Sequence, residues 1–439
     1  MKVLKFGGTS VGSAQRMKEV AKLITDGEQK IVVLSAMSGT TNTLVEISDY
    51  LYKKNPEGAN EIINKLEAKY KQHVDELFAT QEYKQKGLEV IKSHFDYIRS
   101  YTKDLFTLFE EKVVLAQGEL ISTAMVNFYL QECGAKSVLL PALEFMRTDK
   151  NAEPDPVYIK EKLQAQLELY PDMDIYITQG FICRNAYGEI DNLQRGGSDY
   201  TASLIGAAVN ASEIQIWTDI DGMHNNDPRI VDKTAPVRQL HFEEAAELAY
   251  FGAKILHPTC IQPAKYANIP VRLLNTMDPE APGTLISNDT EKGKIKAVAA
   301  KDNITAIKIK SSRMLLAHGF LRKVFEIFES YQTSIDMICT SEVGVSVTID
   351  NTKHLNEILD DLKKYGTVTV DKEMCIICVV GDLEWENVGF EAKALDAMRD
   401  IPVRMISFGG SNYNISFLIR ECDKKAALQS LSDMLFNGK

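Results

Sequence analysis

A glycine-rich segment beside a lysine is the first part of this sequence whose residue types point to chemistry. Lys5–Ser10 joins a predicted strand to a predicted helix, and Gly7 and Gly8 let a ligand approach the backbone closely. Backbone amides at such a junction favour an anion, and Lys5 adds a fixed positive charge. The combination suits a phosphoryl group in transfer, which needs positioning and charge neutralisation. The pattern is neither a Walker A loop nor a dinucleotide fingerprint, so a glycine turn with a surface lysine is an equal alternative.

A second glycine-rich junction, Arg195–Ala202, precedes a predicted helix of small residues. The Arg195 guanidinium can clamp a carboxylate or phosphate, and Asp199 can position a cation or a lysine near the transferred group. The alternative is a helix capped by Ser198 or Asp199. Both interpretations can hold together, because a helix cap is also an anion site.

Other charged residues are candidates with an equally simple structural explanation. Asp219 lies in an acidic segment that leads to Arg229. The acidic side chains can bind ribose hydroxyls or a metal, and Arg229 can reach phosphates. A plain turn explains the acidic residues equally well. Glu119 follows an apolar run at a predicted loop-to-helix junction, where it is either a solvated acid or a carboxylate for a substrate ammonium. Lys254 lies just past a predicted helix end and is a candidate nucleotide contact. The histidines lack metal-ligand spacing, so no protein-ligated metal is predicted.

These residues must be positioned by alternating strands and helices. Short apolar runs such as Ile31–Leu34 are typical of buried parallel strands, and each is followed by a small-residue loop. The repetition predicts a doubly wound α/β sheet, whose ligands bind at the carboxyl ends of the strands. Residues 43–111 are rich in Lys, Glu, Tyr and Leu, and we predict a helical segment there.

The last third of the chain has shorter periods. A Pro- and Gly-containing stretch places a domain boundary near residue 295, so 1–295 is the predicted catalytic domain. The strand and helix order beyond it predicts two ferredoxin-like α+β units, 300–372 and 373–439. The second unit lacks a closing strand, so strand exchange is predicted, with 304–310 as a candidate to join it.

Composition excludes several classes of protein. The chain has 439 residues, with 50 Lys and Arg against 61 Asp and Glu, for a net charge of −11. This acidity argues against a nucleic-acid partner, which depends on clustered basic residues. No uninterrupted apolar stretch reaches the roughly 20 residues of a membrane span, so no membrane partner is predicted. Scattered cysteines and the lack of an apolar segment after Met1 predict a cytoplasmic protein.

Taken in order, these segments resemble the aspartate kinases of the amino-acid kinase family over nearly the whole chain. The matching segments are Lys5–Val11, Ser35–Asn42, Gly118–Glu119, Gln179–Ile182, Arg195–Ala202, Trp217–Arg229 and Glu243–Pro258, continued by Arg322–Phe328 and Thr340–Glu342. The resemblance implies an αβα sandwich with a mainly parallel sheet, followed by paired ACT regulatory domains.

The resemblance also implies an activity, namely ATP-dependent phosphorylation of the L-aspartate side chain to 4-phospho-L-aspartate. Mg²⁺ is expected on the ATP phosphates. In this family Lys5 would stabilise the phosphoryl group and Asp199 would organise that lysine. Glu119 would hold the aspartate ammonium and Arg195 its α-carboxylate. The same resemblance implies that Ser35, Thr41, Phe181 and Ser198 line the substrate pocket and that Lys5, Gly7, Gly8, Thr218, Asp219, His224, Arg229 and Lys254 face the nucleotide.

The regulatory region is similar to the lysine-sensitive aspartate kinases, in which the effector sits at an ACT–ACT interface between subunits. A homodimer or homotetramer is therefore expected. Candidate effector residues are Met314, Gly319, Leu321, Asp336, Thr340 and Ser341. Asp336 would hold the lysine ammonium, whereas Met314 and Leu321 are equally explained by ordinary packing.

The sequence departs from the family pattern at Cys183, at Ile190–Gln194 and at His224, which stands where a tyrosine often contacts the base. Two alternatives stay open at this point. One is another family member acting on a different acid, which the motif at Arg195–Ala202 and Glu119 disfavours. The other is a non-catalytic amino-acid sensor, which the retention of Lys5 and Asp199 disfavours.

Overall fold

A computed structural model of the chain describes residues 1–103, 105–193, 196–252, 256–289, 291–311 and 318–437. The chain divides into two compact units, residues 1–223 with 255–288 and residues 224–254 with 289–439. We call them the first unit and the second unit. The predicted domain bounds, 1–295, 300–372 and 373–439, stay predictions.

The strands are β1 Lys2–Phe6, β2 Lys30–Leu34, β3 Ser137–Leu140, β4 Ile175–Gln179, β5 Ile182–Arg184, β6 Ile190–Asn192, β7 Ile214–Thr218, β8 Gln239–His241, β9 Val271–Asn275, β10 Thr284–Ser287, β11 Ile295–Lys310, β12 Ile338–Ser341, β13 Gly344–Ile349, β14 Thr367–Gly381, β15 Met405–Phe408 and β16 Asn414–Arg420. The helices are α1 Ala14–Ile24, α2 Thr40–Tyr52, α3 Pro56–Leu77, α4 Gln81–Ser100, α5 Leu108–Glu132, α6 Pro156–Glu168, α7 Gly197–Val209, α8 Phe242–Tyr250, α9 Gln262–Tyr266, α10 Phe320–Ser330, α11 Leu355–Lys363, α12 Phe390–Ala397 and α13 Lys424–Leu435.

The first unit is built on a sheet in which strands follow the order β3-β4-β2-β1-β7-β9-β10. Neighbours from β3 to β9 run parallel, and β10 is antiparallel to β9. Every residue of β2 and β4 is buried, as the continuous apolar runs predict for strands covered on both faces. The carboxyl ends of β1, β2, β4 and β7 therefore share one edge of the sheet, which confirms the predicted mainly parallel α/β architecture.

Helices α2 to α5 occupy most of the predicted helical segment 43–111. Asn55 caps α3 with Pro56 as its first residue, and Thr107 and Glu110 form a capping box at the start of α5. Helix α5 is long and apolar enough to match a membrane span by length and composition, but most of it is buried within the protein. It is a core helix of the first unit, and its buried residues include Val114, Ile121 and Met125.

The second unit contains an antiparallel sheet with strand order β12-β13-β11-β14-β16-β15. The long strands β11 and β14 run through both halves of it. Residues 304–310 lie between β13 and the start of β14, whereas 295–301 pair with 376–381 at the end of β14. The strand that completes the second ferredoxin-like half is thus the stretch just upstream of 304–310, which the sequence pattern did not identify as a strand. The predicted pair of ferredoxin-like α+β folds is confirmed.

Candidate functional site

An ion pair between Lys5 and Asp199 lies at the carboxyl edge of the first unit's sheet. Lys5 is on β1 and Asp199 is in the first turn of α7, and their Nζ and Oδ1 atoms are 2.7 Å apart. The side chains are only 12% and 11% exposed, so the pair is shielded from solvent screening. The structure therefore brings the two predicted catalytic residues together.

Glycines let the backbone segments at this edge of the sheet pack closely together. A Cβ on Gly8 would lie 2.8 Å from the Ala36 carbonyl oxygen, so a larger residue would force apart the loops after β1 and β2. A Cβ on Gly7 would lie 3.5 Å from Lys5 Nζ, which places the Gly7 backbone beside the ammonium. Gly196, in the left-handed region with φ +74°, is the N-cap of α7. The predicted cap by Ser198 or Asp199 is wrong, and both side chains instead line the pocket described below.

Glu119 lies in the middle of α5, so the predicted loop-to-helix junction is wrong. The residue is 3% exposed, and its Oε1 accepts a hydrogen bond of 3.2 Å from the Ala36 amide. Its Oε2 is buried and has no hydrogen-bond partner within the described part of the chain. Burial raises the pKa of the Glu119 carboxyl to about 8. A buried carboxyl with one free oxygen is suited to receive a cationic group of a ligand.

These groups line one pocket of about 570 Å³ in the first unit. The predicted residues that line it are Lys5, Gly8, Ser35, Thr41, Glu119, Phe181, Ser198 and Asp199. The Ser35 and Ser198 hydroxyls are 3.0 Å apart, which joins the loop after β2 to the start of α7. Predicted Arg195 lies outside the described residues.

Sequence reasoning missed Lys112 as a pocket residue. Its Nζ is 2.7 Å from Asp191 Oδ1 on β6. Lys112 stands seven positions before Glu119 on the same helix, and that spacing, which puts two residues on one helix face, is the signal that could have found it.

Phe181 has a strained backbone at the pocket wall. Its φ is +69°, a region that residues other than glycine rarely adopt. Its amide donates to Thr201 Oγ1 at 3.1 Å, and its carbonyl accepts from the Leu193 amide at 2.7 Å. These bonds hold the residue in an unfavourable conformation of the kind that clusters at functional sites.

The predicted nucleotide residues are spread over both units. Thr218 ends β7 and accepts a hydrogen bond from the Ile220 amide, with Asp219 exposed beside it, and both belong to the first unit. His224 and Arg229 belong to the second unit, where His224 Nδ1 is 3.0 Å from Thr234 Oγ1. Arg229 is mostly exposed and its guanidinium pairs with Asp227 at 2.7 Å.

Predicted Lys254 lies outside the described residues. No group of three His, Cys, Asp or Glu side chains that could hold a metal is found in the part of the chain that the structure describes.

Two of the sequence departures form a small hairpin in the first unit. Cys183 is on β5, which pairs with β6, where Ile190–Asn192 lie. Cys183 is buried, and burial raises the pKa of its thiol to about 12, so the thiol stays neutral.

The candidate effector residues belong to the second unit. The side chain of Asp336 is almost fully buried, and its Oδ1 lies 2.7 Å from Lys301 Nζ and accepts a hydrogen bond of 2.8 Å from the Tyr250 hydroxyl. Its Oδ2 is buried and lacks a hydrogen-bond partner among the described residues. Burial raises the pKa of the Asp336 carboxyl, while Lys301 opposes the shift.

The remaining candidates lie on neighbouring elements of the second unit. Gly319 is the N-cap of α10 and Leu321 is in its first turn, and Thr340 and Ser341 are on the edge strand β12. Met314 lies outside the described residues.

Comparison with known proteins identifies the family of the chain. A model described as the amino acid kinase family matches residues 1–275, and an ACT domain model matches residues 377–435. Aspartokinase 1, chloroplastic, of Arabidopsis thaliana is 36% identical over 99% of this chain and 80% of its own length. The chain belongs to the aspartokinases.

An E. coli aspartokinase also matches almost all of this chain, both in sequence and as a solved structure. Lysine-sensitive aspartokinase 3 of Escherichia coli is 33% identical over 99% of both chains. The crystal structure of E. coli aspartokinase III with aspartate and ADP in the R-state has a TM-score of 0.86 and 32% identity, covering 99% of this chain and 100% of that one. The family resemblance, the fold class and the enzyme class predicted from the sequence are confirmed, and the chain is an aspartate kinase.

Proposed function

We propose that the pocket of the first unit phosphorylates the side-chain carboxylate of L-aspartate with ATP, giving 4-phospho-L-aspartate and ADP. One observation carries the proposal: the buried Glu119 carboxyl, with a free oxygen, lines the same pocket as the Lys5–Asp199 ion pair. A single pocket thus offers a carboxyl group for a substrate ammonium and a cationic group for a phosphoryl oxygen. The reaction would be the first step of lysine, threonine and methionine biosynthesis.

Substrate orientation follows from these charges. Glu119 binds the α-ammonium of aspartate, and Arg195 is proposed to bind its α-carboxylate through a bidentate contact. Ser35, Thr41, Phe181 and Ser198 complete the walls of the pocket. Held at its amino-acid end, the substrate presents its side-chain carboxylate to the phosphoryl donor, and this positioning supplies a large part of catalysis.

The chemical step needs charge neutralisation rather than a strong base. The aspartate side chain is ionised at neutral pH, so its oxygen attacks the γ-phosphorus directly while the bond to the ADP oxygen breaks. Lys5 neutralises negative charge on the transferring group, and Asp199 keeps the ammonium in place. Gly7 and Gly8 are proposed to face the phosphates, because the Gly7 backbone lies beside the Lys5 ammonium.

We propose Thr218, Asp219, His224, Arg229 and Lys254 as further nucleotide contacts. Mg²⁺ is a hard cation that commonly binds through substrate phosphates and water. Because the described residues contain no dedicated metal cluster, Mg²⁺ is proposed to arrive with ATP, where it neutralises phosphate charge.

Lysine is the proposed feedback effector, bound with its ammonium on Asp336. The name of the E. coli relative, lysine-sensitive aspartokinase 3, supports this choice. So does the second oxygen of Asp336, because Oδ2 is buried and has no hydrogen-bond partner among the described residues. Gly319, Leu321, Thr340, Ser341 and Met314 are proposed to complete the site, in a cytoplasmic homodimer or homotetramer joined through the ACT domains.

The experiment that tests the function is ATP turnover with L-aspartate, measured alone and with lysine, threonine or methionine. We expect aspartate-dependent ADP release that lysine inhibits. Absence of aspartate-dependent turnover would favour the non-catalytic sensor. Inhibition by threonine but not by lysine would overturn the choice of effector.

A further inference from the structure

The helical segment 43–111 contributes a buried polar contact close to the pocket. Tyr70, in the middle of α3, is 0% exposed, and its hydroxyl lies 2.8 Å from the hydroxyl of Thr40. Thr40 is the first residue of α2 and is itself buried. A buried tyrosine hydroxyl needs a partner, and Thr40 provides it.

Thr40 belongs to the segment Ser35–Thr41, which we call the pocket loop, because most of its residues line the pocket. Helix α5 holds the beginning of the pocket loop at two points. Glu119 accepts a hydrogen bond from the Ala36 amide at 3.2 Å, and the Ser122 hydroxyl donates to the Ser35 carbonyl at 2.8 Å. The end of the pocket loop is held from a different helix, by Tyr70 on Thr40.

Close packing makes the end of the pocket loop sensitive to this contact. A Cβ on Gly118 would lie 2.8 Å from the Ala36 Cβ and 3.1 Å from the Thr40 Cγ2, so α5 approaches both ends of the loop without room to spare. Gly39, by contrast, has φ +82° and open space around it, so it offers no steric support. Two contacts therefore orient the Thr40 side chain: its Cγ2 packs beside Gly118, and its hydroxyl contacts Tyr70.

We propose that Tyr70 is a positioning residue for aspartate binding, acting through Thr40 on the pocket loop. The proposal rests on the proposed function, in which Glu119 and Thr41 contact aspartate. The loop supplies the amide that orients Glu119 and also carries Thr41, so a displaced Thr40 disturbs the amino-acid end of the pocket. Lys5 and Asp199 are on β1 and α7, which Tyr70 does not contact through this bond. Burial and the nearby Glu119 carboxylate raise the pKa of Tyr70, so its hydroxyl stays neutral.

The test is a double-mutant cycle of Tyr70→Phe, Thr40→Val and the double variant. We expect each single variant to raise KM for aspartate roughly fivefold, the factor that corresponds to one net hydrogen bond, with kcat and KM for ATP nearly unchanged. The double variant is expected to have the KM of the single variants rather than the product of their effects, because both changes break the same bond.

Tyr176→Phe is the matched control. Tyr176 is also buried, and its hydroxyl donates to the Tyr170 carbonyl at 2.7 Å, near the amino end of β4 and away from the pocket edge. This variant is expected to keep the wild-type KM for aspartate.

Three results would overturn the role of Tyr70. Thermal unfolding of Tyr70→Phe at a lower temperature with an unchanged KM for aspartate would leave only a structural role. Multiplicative effects in the double variant would show that Tyr70 does not act through Thr40. An equal rise in KM for aspartate in Tyr176→Phe would mean that any lost buried hydroxyl has this effect. Turnover of the wild-type protein is measured in the same series. If the proposed function is wrong, neither the wild-type protein nor any variant shows aspartate-dependent turnover, and this outcome differs from the three results above.

Discussion

Two buried carboxyl groups, Glu119 in the first unit and Asp336 in the second, differ in the groups that stabilise them. Burial raises the pKa of both, and each has one oxygen without a hydrogen-bond partner among the described residues. Within the described ranges Glu119 has one backbone amide as its partner, whereas Asp336 has the ammonium of Lys301 and the hydroxyl of Tyr250. A buried charge without a counter-charge is costly, so Glu119 is stable mainly in its neutral form until a cation arrives.

The difference separates a site that a ligand must complete from a site that the chain has already completed. In the proposed function a substrate ammonium supplies the counter-charge that Glu119 lacks among the described residues, so substrate binding would gain the full benefit of the ion pair. At Asp336 an incoming ammonium meets Lys301, which also pairs with Asp350 at 2.9 Å and lies 4.4 Å from the Tyr250 ring centre. We infer that an effector has to share or replace a cation that belongs to the fold, which weakens binding and makes it adjustable.

The largest expected effect is the loss of kcat when Lys5, the lysine at the pocket end of β1, is removed. Lys5→Ala is expected to lower kcat by about a thousandfold or more while leaving the fold intact, because the transferring phosphoryl group loses its fixed counter-charge. Steady-state ADP release measures it. Lys2→Ala on the same strand, which breaks only an exposed pair with Glu28, is the control and should keep wild-type turnover. Undiminished turnover in Lys5→Ala would refute the role of Lys5.

Removing the charge of Glu119 tests the site that a ligand completes. Glu119→Gln keeps the shape and an acceptor for the Ala36 amide. We expect KM for aspartate to rise about a hundredfold, near the upper limit for a hydrogen bond to a charged group. KM for ATP, measured in the same assays, should hardly change, and a parallel rise in both constants would contradict the assignment of Glu119 to aspartate.

The raised pKa of Glu119 predicts a pH dependence of aspartate binding. With a pKa of about 8, the free enzyme holds the Glu119 proton at pH 6, and aspartate binding must release it. KM for aspartate should therefore decrease about tenfold for each unit by which the pH rises from 6 to 8, and it should level off above pH 8. Calorimetry in buffers of different ionisation enthalpy should show proton release on binding, and Glu119→Gln should abolish both effects.

The raised pKa of Glu119 also determines how the stability of the unliganded fold changes with pH. A carboxyl whose pKa is raised in the folded protein stabilises the unliganded fold at low pH, and this contribution is lost as pH rises through about 8. Lys5, Asp199, Glu111 and Lys112 also line the pocket. A KM that is independent of pH between 6 and 8 would show that their charges keep Glu119 ionised.

The smallest expected effect concerns Asp336, which already pairs with Lys301. Lys301→Gln removes the built-in cation, and we expect the lysine concentration for half-inhibition to fall about fivefold, since the effector no longer competes for Asp336. Uninhibited kcat should not change. Lys308→Gln, at an exposed position on the same strand, is the control. If Lys301→Gln instead needs more lysine for inhibition, Lys301 supports the effector site and does not compete with it.

Local patterns in the sequence predicted much of the first unit. The continuous apolar runs identified β2 and its neighbours, and the glycine-rich segments at Lys5 and Gly196 fell at strand and helix ends as predicted. Those signals are local, because a strand end and a helix start are fixed by residues close in the chain. Glu119 shows the limit: its type suggested an ammonium partner, but its place in the middle of α5 and its buried free oxygen depend on the packing of α5 against the loop after β2.

By itself the sequence determined the mainly parallel α/β sheet, the ferredoxin-like pair and the residue types that phosphoryl transfer requires, because hydrophobic periodicity and motif order are properties of the chain. Tertiary structure decided which charges meet. Lys5 and Asp199 are far apart in sequence, as are Tyr70 and Thr40, and Lys301 and Asp336. Their contacts exist because strands from distant segments pair and helices pack across them, and no local pattern encodes which buried carboxylate receives a lysine and which is left for a ligand.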